Sequence, residues 1–492
     1  RGETMIKYVS ILLAATVLIG SGCQTVDENP ALKYVSEARG AWGEPGGDMS
    51  WDAAMKALKE AGFNMVLPNV CTAGRASYQS DYLPQTTEKD ELQLCIEAAH
   101  KYGIEVHAWR INWFMLGSPE SFTEKMVKEG RVQYSYEGKR NPEVARDNGY
   151  KQNRDWLCPS QEVNRKLELN TMLEMVKKYD VDGVHFDYMR YGWEQMCYCD
   201  KCRANFQKKS GLKVDNWPED VWKGGKYYEA YLEWRRHVIT SSAREIAKAI
   251  HDYNPYVCVS LAARNGINWA KTSDAQEWWE WTKEGILDFV CPMTYSTEPA
   301  QFTKTAREAL SYVKGDVPYY GGIGVYKMES YEQLAEVIDS GRELGQDGFI
   351  NFNLRRLIPY LDKVKSKLDK PALLSHRAPE THFIPEAVGS ENEEGLRVFE
   401  AGKEINFKTS IMFRGKLKEG IERIKGDIIV QKTTGEIISK ITPVDINKSD
   451  IVNSSFKLEK QGKYRIGLYG VMTLSTGEER PFITRSFPFE ID

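Results

Sequence analysis

The sequence predicts an α/β protein: a (β/α)8 TIM barrel followed by a C-terminal β-sandwich of the immunoglobulin or fibronectin kind. Three observations predict it. Between residues 36 and 370, eight short apolar runs alternate with stretches of helical periodicity. Nearly every run ends in polar or aromatic residues, as in a barrel whose strand ends carry the chemistry. Beyond residue 385 the pattern changes to short strands separated by turns. The competing fold is a doubly wound open sheet. It loses ground because the first turn lacks a Gly-rich phosphate fingerprint and the chain has no Walker loop.

The first strand reads ARGAW, Ala38 to Trp42. Ser50 suits the N-cap of a helix that begins at Trp51 and is closed by Gly62. Phe63 to Pro68 is the second strand. Thr87 opens a helix that Gly103 stops, and IEVHAWRIN, Ile104 to Asn112, is the third strand. A polar insertion follows, from Met115 to about Asp155. Val163, Leu167, Leu169, Leu173 and Val176 make Glu162 to Tyr179 helical. The fourth strand lies in DGVHFDYMRY, Asp182 to Tyr191. A second insertion, from Gly192 to about Gly225, carries CYCDKC, and a long helix from Tyr227 ends before Pro255. Strands five to eight are VCVSLAA from Val257, LDFVCPMTY from Leu287, VPYYGGIGVY from Val317 and GFINFNL from Gly348. Residues 371–385 are a Pro-containing linker, and 386–492 form the sandwich.

From Met5 the chain reads MIKYVSILLAATVLIGSGCQT, a Lys, an apolar run and small residues before Cys23. That is the layout of a secretory signal, too short and too early for a spanning helix. Gly20, Ser21 and Gly22 resemble a bacterial lipobox, which implies cleavage before Cys23 and a lipid on its thiol. The expectation is a lipoprotein signal over 5–23, a tether over 24–35, and a protein exported and anchored to a bacterial membrane, on its periplasmic face or at the cell surface. An ordinary cleaved signal with an unmodified Cys23 is the alternative. The net charge of −4 argues against a nucleic-acid partner. The 13 Trp and 26 Tyr suit a carbohydrate partner, since aromatic rings stack on sugar faces, but they also fill cores.

The fourth strand carries the sharpest chemical signal. His185 and Asp187 share one face and Val184 and Phe186 the other. An ionised carboxylate at the end of so apolar a strand must be paired, solvated or used. The other strand ends supply Trp42, Asn69, His107, Trp109, Arg110, Asn112, Arg190, Arg264, Tyr295 and Asn351 as substrate-binding candidates, with His185 beside them. Together these groups describe a sugar cleft. Glycoside cleavage needs two carboxyl groups, one to protonate the leaving oxygen and one to attack or to activate water. Asp187 is the first catalytic candidate and Glu298, just past strand six, is its partner; Asp274, Glu277 and Glu44 stand behind Glu298. The histidines make no HExxH or His-x-His pair, so no metal cofactor is expected. Cys197, Cys199 and Cys202 offer a zinc-compatible spacing with Cys158 as a fourth ligand; disulfides are the alternative, and either way the role is structural. No GxSxG elbow is present.

RGAW at Arg39 to Trp42, PNV at Pro68 to Val70, GIEVHAW at Gly103 to Trp109, DGVHFDYMRY and CPMTY at Cys291 to Tyr295 together resemble the bacterial glycosyl-hydrolase-like family ten proteins. These are glycosidase barrels distantly related to the α-amylase superfamily. The resemblance covers residues 36 to 370 and implies a (β/α)8 barrel that hydrolyses O-glycosidic bonds of a polysaccharide or glycan strand. The α-amylase relation implies a nucleophile at Asp187 and an acid after strand five. Strand five here ends in Arg264 with no immediate Glu, and Tyr188 stands where many relatives carry a second acid. The expected function is a glycoside hydrolase using carboxylate acid/base chemistry without a cofactor; the alternative is a non-catalytic glycan-binding lipoprotein on the same barrel.

Overall fold

The computed structural model describes residues 29–492 except 152, 153 and 388. The signal segment and Cys23 lie outside the described residues. No described helix is long and apolar enough to cross a membrane.

Eight parallel strands form the barrel: β1 (Ala38–Trp42), β2 (Met65–Leu67, continued past Pro68 by Asn69–Thr72), β3 (Glu105–Ile111), β4 (Gly183–Asp187), β5 (Cys258–Ala263), β6 (Phe289–Pro292), β7 (Tyr320–Ile323) and β8 (Gly348–Phe352). Each of β1 to β5 hydrogen-bonds to the next, and β8 joins β1 to β7. A parallel bridge from Val290 to Tyr319 brings β6 beside β7 and nearly closes the ring. Nearly all of these strand residues are buried, as strands covered by helices outside and packed on each other inside must be.

Alternation along each strand decides what faces the barrel axis. On β3 the inward set is Glu105, His107, Trp109 and Ile111, while Arg110 turns outward to the helices. On β4 the inward set is Gly183, His185 and Asp187. Gly183 leaves room for a neighbour: a Cβ there would lie 2.1 Å from His107 Nδ1.

The helices follow the expected rhythm with local differences. Ser50 caps α1 (Trp51–Glu60) as read. Asp90 rather than Thr87 caps α2 (Glu91–Lys101), its carboxylate accepting from the Gln93 N–H. The first insertion folds into α3 (Glu120–Lys128) and α4 (Asn141–Asp147); then come α5 (Glu162–Lys178), α6 (Asp200–Ser210) in the second insertion, and α7 (Tyr228–Tyr253).

Two segments read as connectors are built in. From Asn29 onward the expected tether is docked: the Asn29 amide donates to Asp427 and Tyr469 O, Ala31 is buried, and Val35–Ser36 pairs in parallel with Ala372–Leu373. The expected linker supplies that strand, a helical turn at Ser375–Arg377 and the strand Thr381–Pro385.

The C-terminal region holds a three-stranded antiparallel sheet and a seven-stranded sheet. Phe407 and Phe456 of the first share a core with Ile428, Leu468 and Phe482 of the second. One strand of the second sheet is Ile437–Ile446. It contains Pro443 and lies at a sheet edge, where proline is tolerated.

Candidate active site

Asp187 ends β4 at the mouth of the barrel and is 4% exposed. Its two oxygens have separate donors: Trp109 Nε1–H reaches Oδ2 at 3.2 Å and the Tyr188 N–H reaches Oδ1 at 2.7 Å. Tyr188 has φ +54°, so the chain turns sharply straight after the acid. Burial pushes the Asp187 carboxyl up to about 6, against the pull of Arg190, the Tyr188 and Trp109 hydrogen bonds and Arg264. A carboxylate so poised is largely ionised at neutral pH, and its two hydrogen bonds fix its direction.

A charge network surrounds it. Asp274 is buried and bridges two cations, Arg264 Nε at 2.5 Å and an Arg190 amine at 3.5 Å. Arg190 lies 4.5 Å from the Tyr188 ring and 5.6 Å from the Trp156 ring. Phe114, Trp156 and Tyr188 form a mutually packed triplet. On the other side, Tyr295 stacks on Phe352 at 5.5 Å and meets Trp42 edge-on. The mouth thus joins two carboxylates, Asp187 and the arginine-paired Asp274, with two arginines and several half-buried aromatic faces.

Several candidates from the strand ends lie elsewhere. Arg110 points away from the mouth into the barrel–helix layer, where it makes a two-pronged pair with Glu168 of α5 at 2.7 and 2.9 Å. The Asn112 amide donates to the same Glu168. Neither faces the mouth, because period-two alternation sends Trp109 inward and Arg110 outward. Asn351 is fully buried and donates to Gly40 O. His107 is inside the barrel but near its base, beside Glu105 and His376. His185 is inward and buried, with both nitrogens engaged: Trp42 Nε1–H donates to Nε2 at 2.9 Å, and Nδ1 meets Ser260 Oγ at 2.8 Å. Burial holds its imidazole well below the usual range, so it is a neutral strut under Trp42. Asn69 accepts from Arg75 at the β2 end.

The other acids divide by environment. Asp274 is occupied by its arginines. Glu277 pairs with Arg236 of α7 at 3.3 Å. Glu44 keeps an exposed side chain on the rim; desolvation raises its carboxyl, opposed by nearby backbone N–H groups and Arg75. Glu298 is exposed beyond β6, at the N-cap of the helix Pro299–Val313, three residues past Tyr295. Sequence reasoning missed Trp156 and Phe352. Period-two counting from Ile350 would have found Phe352; Trp156 belongs to an insertion with no periodic signal.

Cavities of about 520 and 470 Å3 line the seam between barrel base and β-domain, and Asp187 lines neither.

Residues 47–335 match the family described as Glycosyl hydrolase-like 10. The chain belongs to this family. Among curated relatives, glycosyl hydrolase DigH of Escherichia coli (strain K12) is 24% identical over 309 residues, 55% of this chain and 64% of that protein. Glycosyl hydrolase YngK of Bacillus subtilis (strain 168) is 21% identical over 263 residues, 48% of this chain and 47% of that protein. An S-layer-related protein of Niallia circulans is 23% identical over 293 residues, 51% of this chain and 18% of that protein. The chain therefore spans less than two thirds of the length of these relatives. Among solved structures, the glycoside hydrolase domain of PgaB (BpsB) from Bordetella bronchiseptica aligns with a TM-score of 0.55 at 14% identity, covering 69% of this chain and all of that one. The α-L-fucosidase isoenzyme 2 of Paenibacillus thiaminolyticus aligns with a TM-score of 0.51 at 16% identity, covering 68% of this chain and 49% of that one. At such identities these likenesses establish the glycosidase-type barrel fold.

Proposed function

We propose that the protein is a glycoside hydrolase that cleaves O-glycosidic bonds of a polysaccharide or glycan strand, with Asp187 as its nucleophile or base. The observation that carries this reading is the Asp187 carboxylate, buried at the mouth, aimed by two donors and poised near pH 6. Glu298 is the proposed acid. It follows the strand that supplies Tyr295, whose hydroxyl feels the Asp187 charge. Asp274 and Glu277 are already paired with arginines, and Glu44 lies toward Arg75 and Glu91 on another side of the rim. Tyr295 and Trp109 are the proposed sugar platforms, while Trp42, 1% exposed, packs edge-on behind Tyr295; Arg190 and Arg264 pull Asp187 toward its ionised form against burial.

We read the C-terminal β-domain as an immunoglobulin- or fibronectin-like accessory module. We also read the protein as exported and lipid-anchored through Cys23, a reading that rests on the N-terminal sequence pattern alone.

Asp187→Asn should lower reducing-end release from a glycan panel on the order of a thousandfold or more, about 4 kcal/mol of transition-state stabilisation. The wild-type kcat/KM should rise with pH through about 6 as Asp187 ionises. Undiminished turnover by Asp187→Asn removes Asp187 from the mechanism. Glycan binding with no product from the wild type favours a binding lipoprotein instead.

A further inference from the structure

We propose that Cys158, Cys197, Cys199 and Cys202 hold one structural zinc ion that fastens together the two insertions flanking Asp187. The inference does not depend on the glycosidase reading. The four sulfur atoms converge from distant points of the chain. Cys158 closes the insertion between β3 and α5, and the other three lie in the insertion between β4 and α7. All four Sγ atoms lie within 4.8 Å of one another. Cys158 Sγ is 3.5 Å from Cys202 Sγ and 3.8 Å from Cys199 Sγ.

Those spacings discriminate between chemistries. A disulfide holds its sulfurs about 2.05 Å apart. Tetrahedral zinc with Zn–S bonds of about 2.3 Å separates its sulfurs by about 3.8 Å, the edge of the tetrahedron. The cluster matches the second figure, and none of the eight described cysteines is in a disulfide.

The surroundings suit anionic sulfur. The Tyr134 N–H donates to Cys197 Sγ at 3.4 Å. Ser160 Oγ lies 3.2 Å from Cys158 Sγ and 3.3 Å from Cys202 Sγ. Cys199 is the N-cap of α6, an eleven-residue helix, and a helix N-terminus favours negative charge. Cys158, Cys197 and Cys202 are fully buried. Four protein ligands and no open position make a closed, structural site rather than a catalytic one.

Its location gives it a consequence. Trp156 is two residues before Cys158, and its ring packs 5.3 Å from that of Tyr188, the residue after Asp187. An ion at the cluster would fix the Trp156 wall against the Tyr188 turn, making the four cysteines positioning residues for the mouth.

The test is elemental analysis of the purified full-length protein by plasma mass spectrometry, with intact-mass measurement under denaturing conditions. One zinc per chain is expected. A mercurial thiol reagent added to the wild type should release that zinc, a measurement that does not require any variant to fold. The pair Cys199→Ser and Cys202→Ser should lose the metal, and cobalt-loaded wild type should show thiolate-to-cobalt charge transfer that this double variant lacks. A metal-free wild type overturns the proposal, whether its mass shows two disulfides or four free thiols. A single iron in place of zinc also overturns it.

Discussion

At the scale of single residues, Asp187 sets function against stability. Its pKa of about 6 in the fold exceeds the ordinary 3.8. The native state therefore disfavours its charge. Above pH 6 the group is ionised in both folded and unfolded chains, and the fold bears a cost of about 3 kcal/mol for about two pKa units. Between pH 6 and 3.8 that cost fades, and below 3.8 it is absent. Replacing Asp187 by Asn removes the charge but sets an amide N–H2 against one of two N–H donors, a loss of about 1 kcal/mol. Asp187→Asn should thus be more stable than wild type by about 2 kcal/mol at pH 7 in denaturant titrations. The advantage should disappear near pH 4. A variant destabilised at pH 7 would contradict the account. Asp187 was legible from the sequence because a carboxylate at the end of an apolar strand is costly unless used. Asp274 stands in the sequence only as a further candidate acid behind Glu298; its pairing with Arg190 and Arg264 depends on loops that no local pattern describes.

At the scale of elements, β3 shows what sequence reading captures and what it loses. EVHAWRI is plainly a strand, yet its polar residues serve three places. Glu105 and His107 belong to the base, Trp109 to the mouth, and Arg110 to the helix layer. Listing strand ends without alternation merged the last two. Arg110 and Glu168 form a fully buried pair that also holds the Asn112 amide and the Thr72 carbonyl. Such a pair is weak evidence for net stability, but breaking it strands a charge. Glu168→Ala should destabilise the protein by about 3–5 kcal/mol. Arg110→Met combined with Glu168→Leu should restore most of that, because the apolar replacement leaves no orphan charge. Thermal melts of the single and double variants check this, and equal losses in both would refute it. The order of strands and helices was readable because each strand is an apolar run between helical periods. The closure of β6 against β7 through Val290 and Tyr319 was not, since one bridge leaves no periodic trace.

At the scale of the whole molecule, the barrel and the β-domain are joined by more than a linker. Arg377 pairs with Glu105 through Nε at 2.7 Å and also donates to Asp182 O, Tyr256 O and Lys416 O. His376 enters the barrel base, accepts from or donates to Tyr320 at 2.7 Å, and stacks on Phe289. Burial would raise the Glu105 carboxyl, but the Arg377 charge and the imidazole hydrogen bonds hold it well below the usual range. Arg465 and Arg485 of the β-domain both reach Asp347, one residue before β8. Arg377→Ala should destabilise the full-length chain by about 3–5 kcal/mol and melt both domains in one transition. Two separated transitions, with the barrel unaffected, would show that the base does not depend on this plug. The dependence could not be read beforehand, because SHRAP has the composition of an ordinary linker.

The docking of residues 29–36 also sets a direction. Every barrel strand runs from base to mouth, and the segment entering β1 is pinned beside Ala372–Leu373 and Tyr469, on the base side. On the proposed lipid anchor, five residues separate Cys23 from Asn29, a leash of at most about 20 Å. The bilayer would then lie behind the base, with Asp187 at the far end of the barrel facing outward. An enzyme mounted this way works at arm's length from its own membrane. It would meet polymer standing off the surface before any sugar still attached to lipid beneath it.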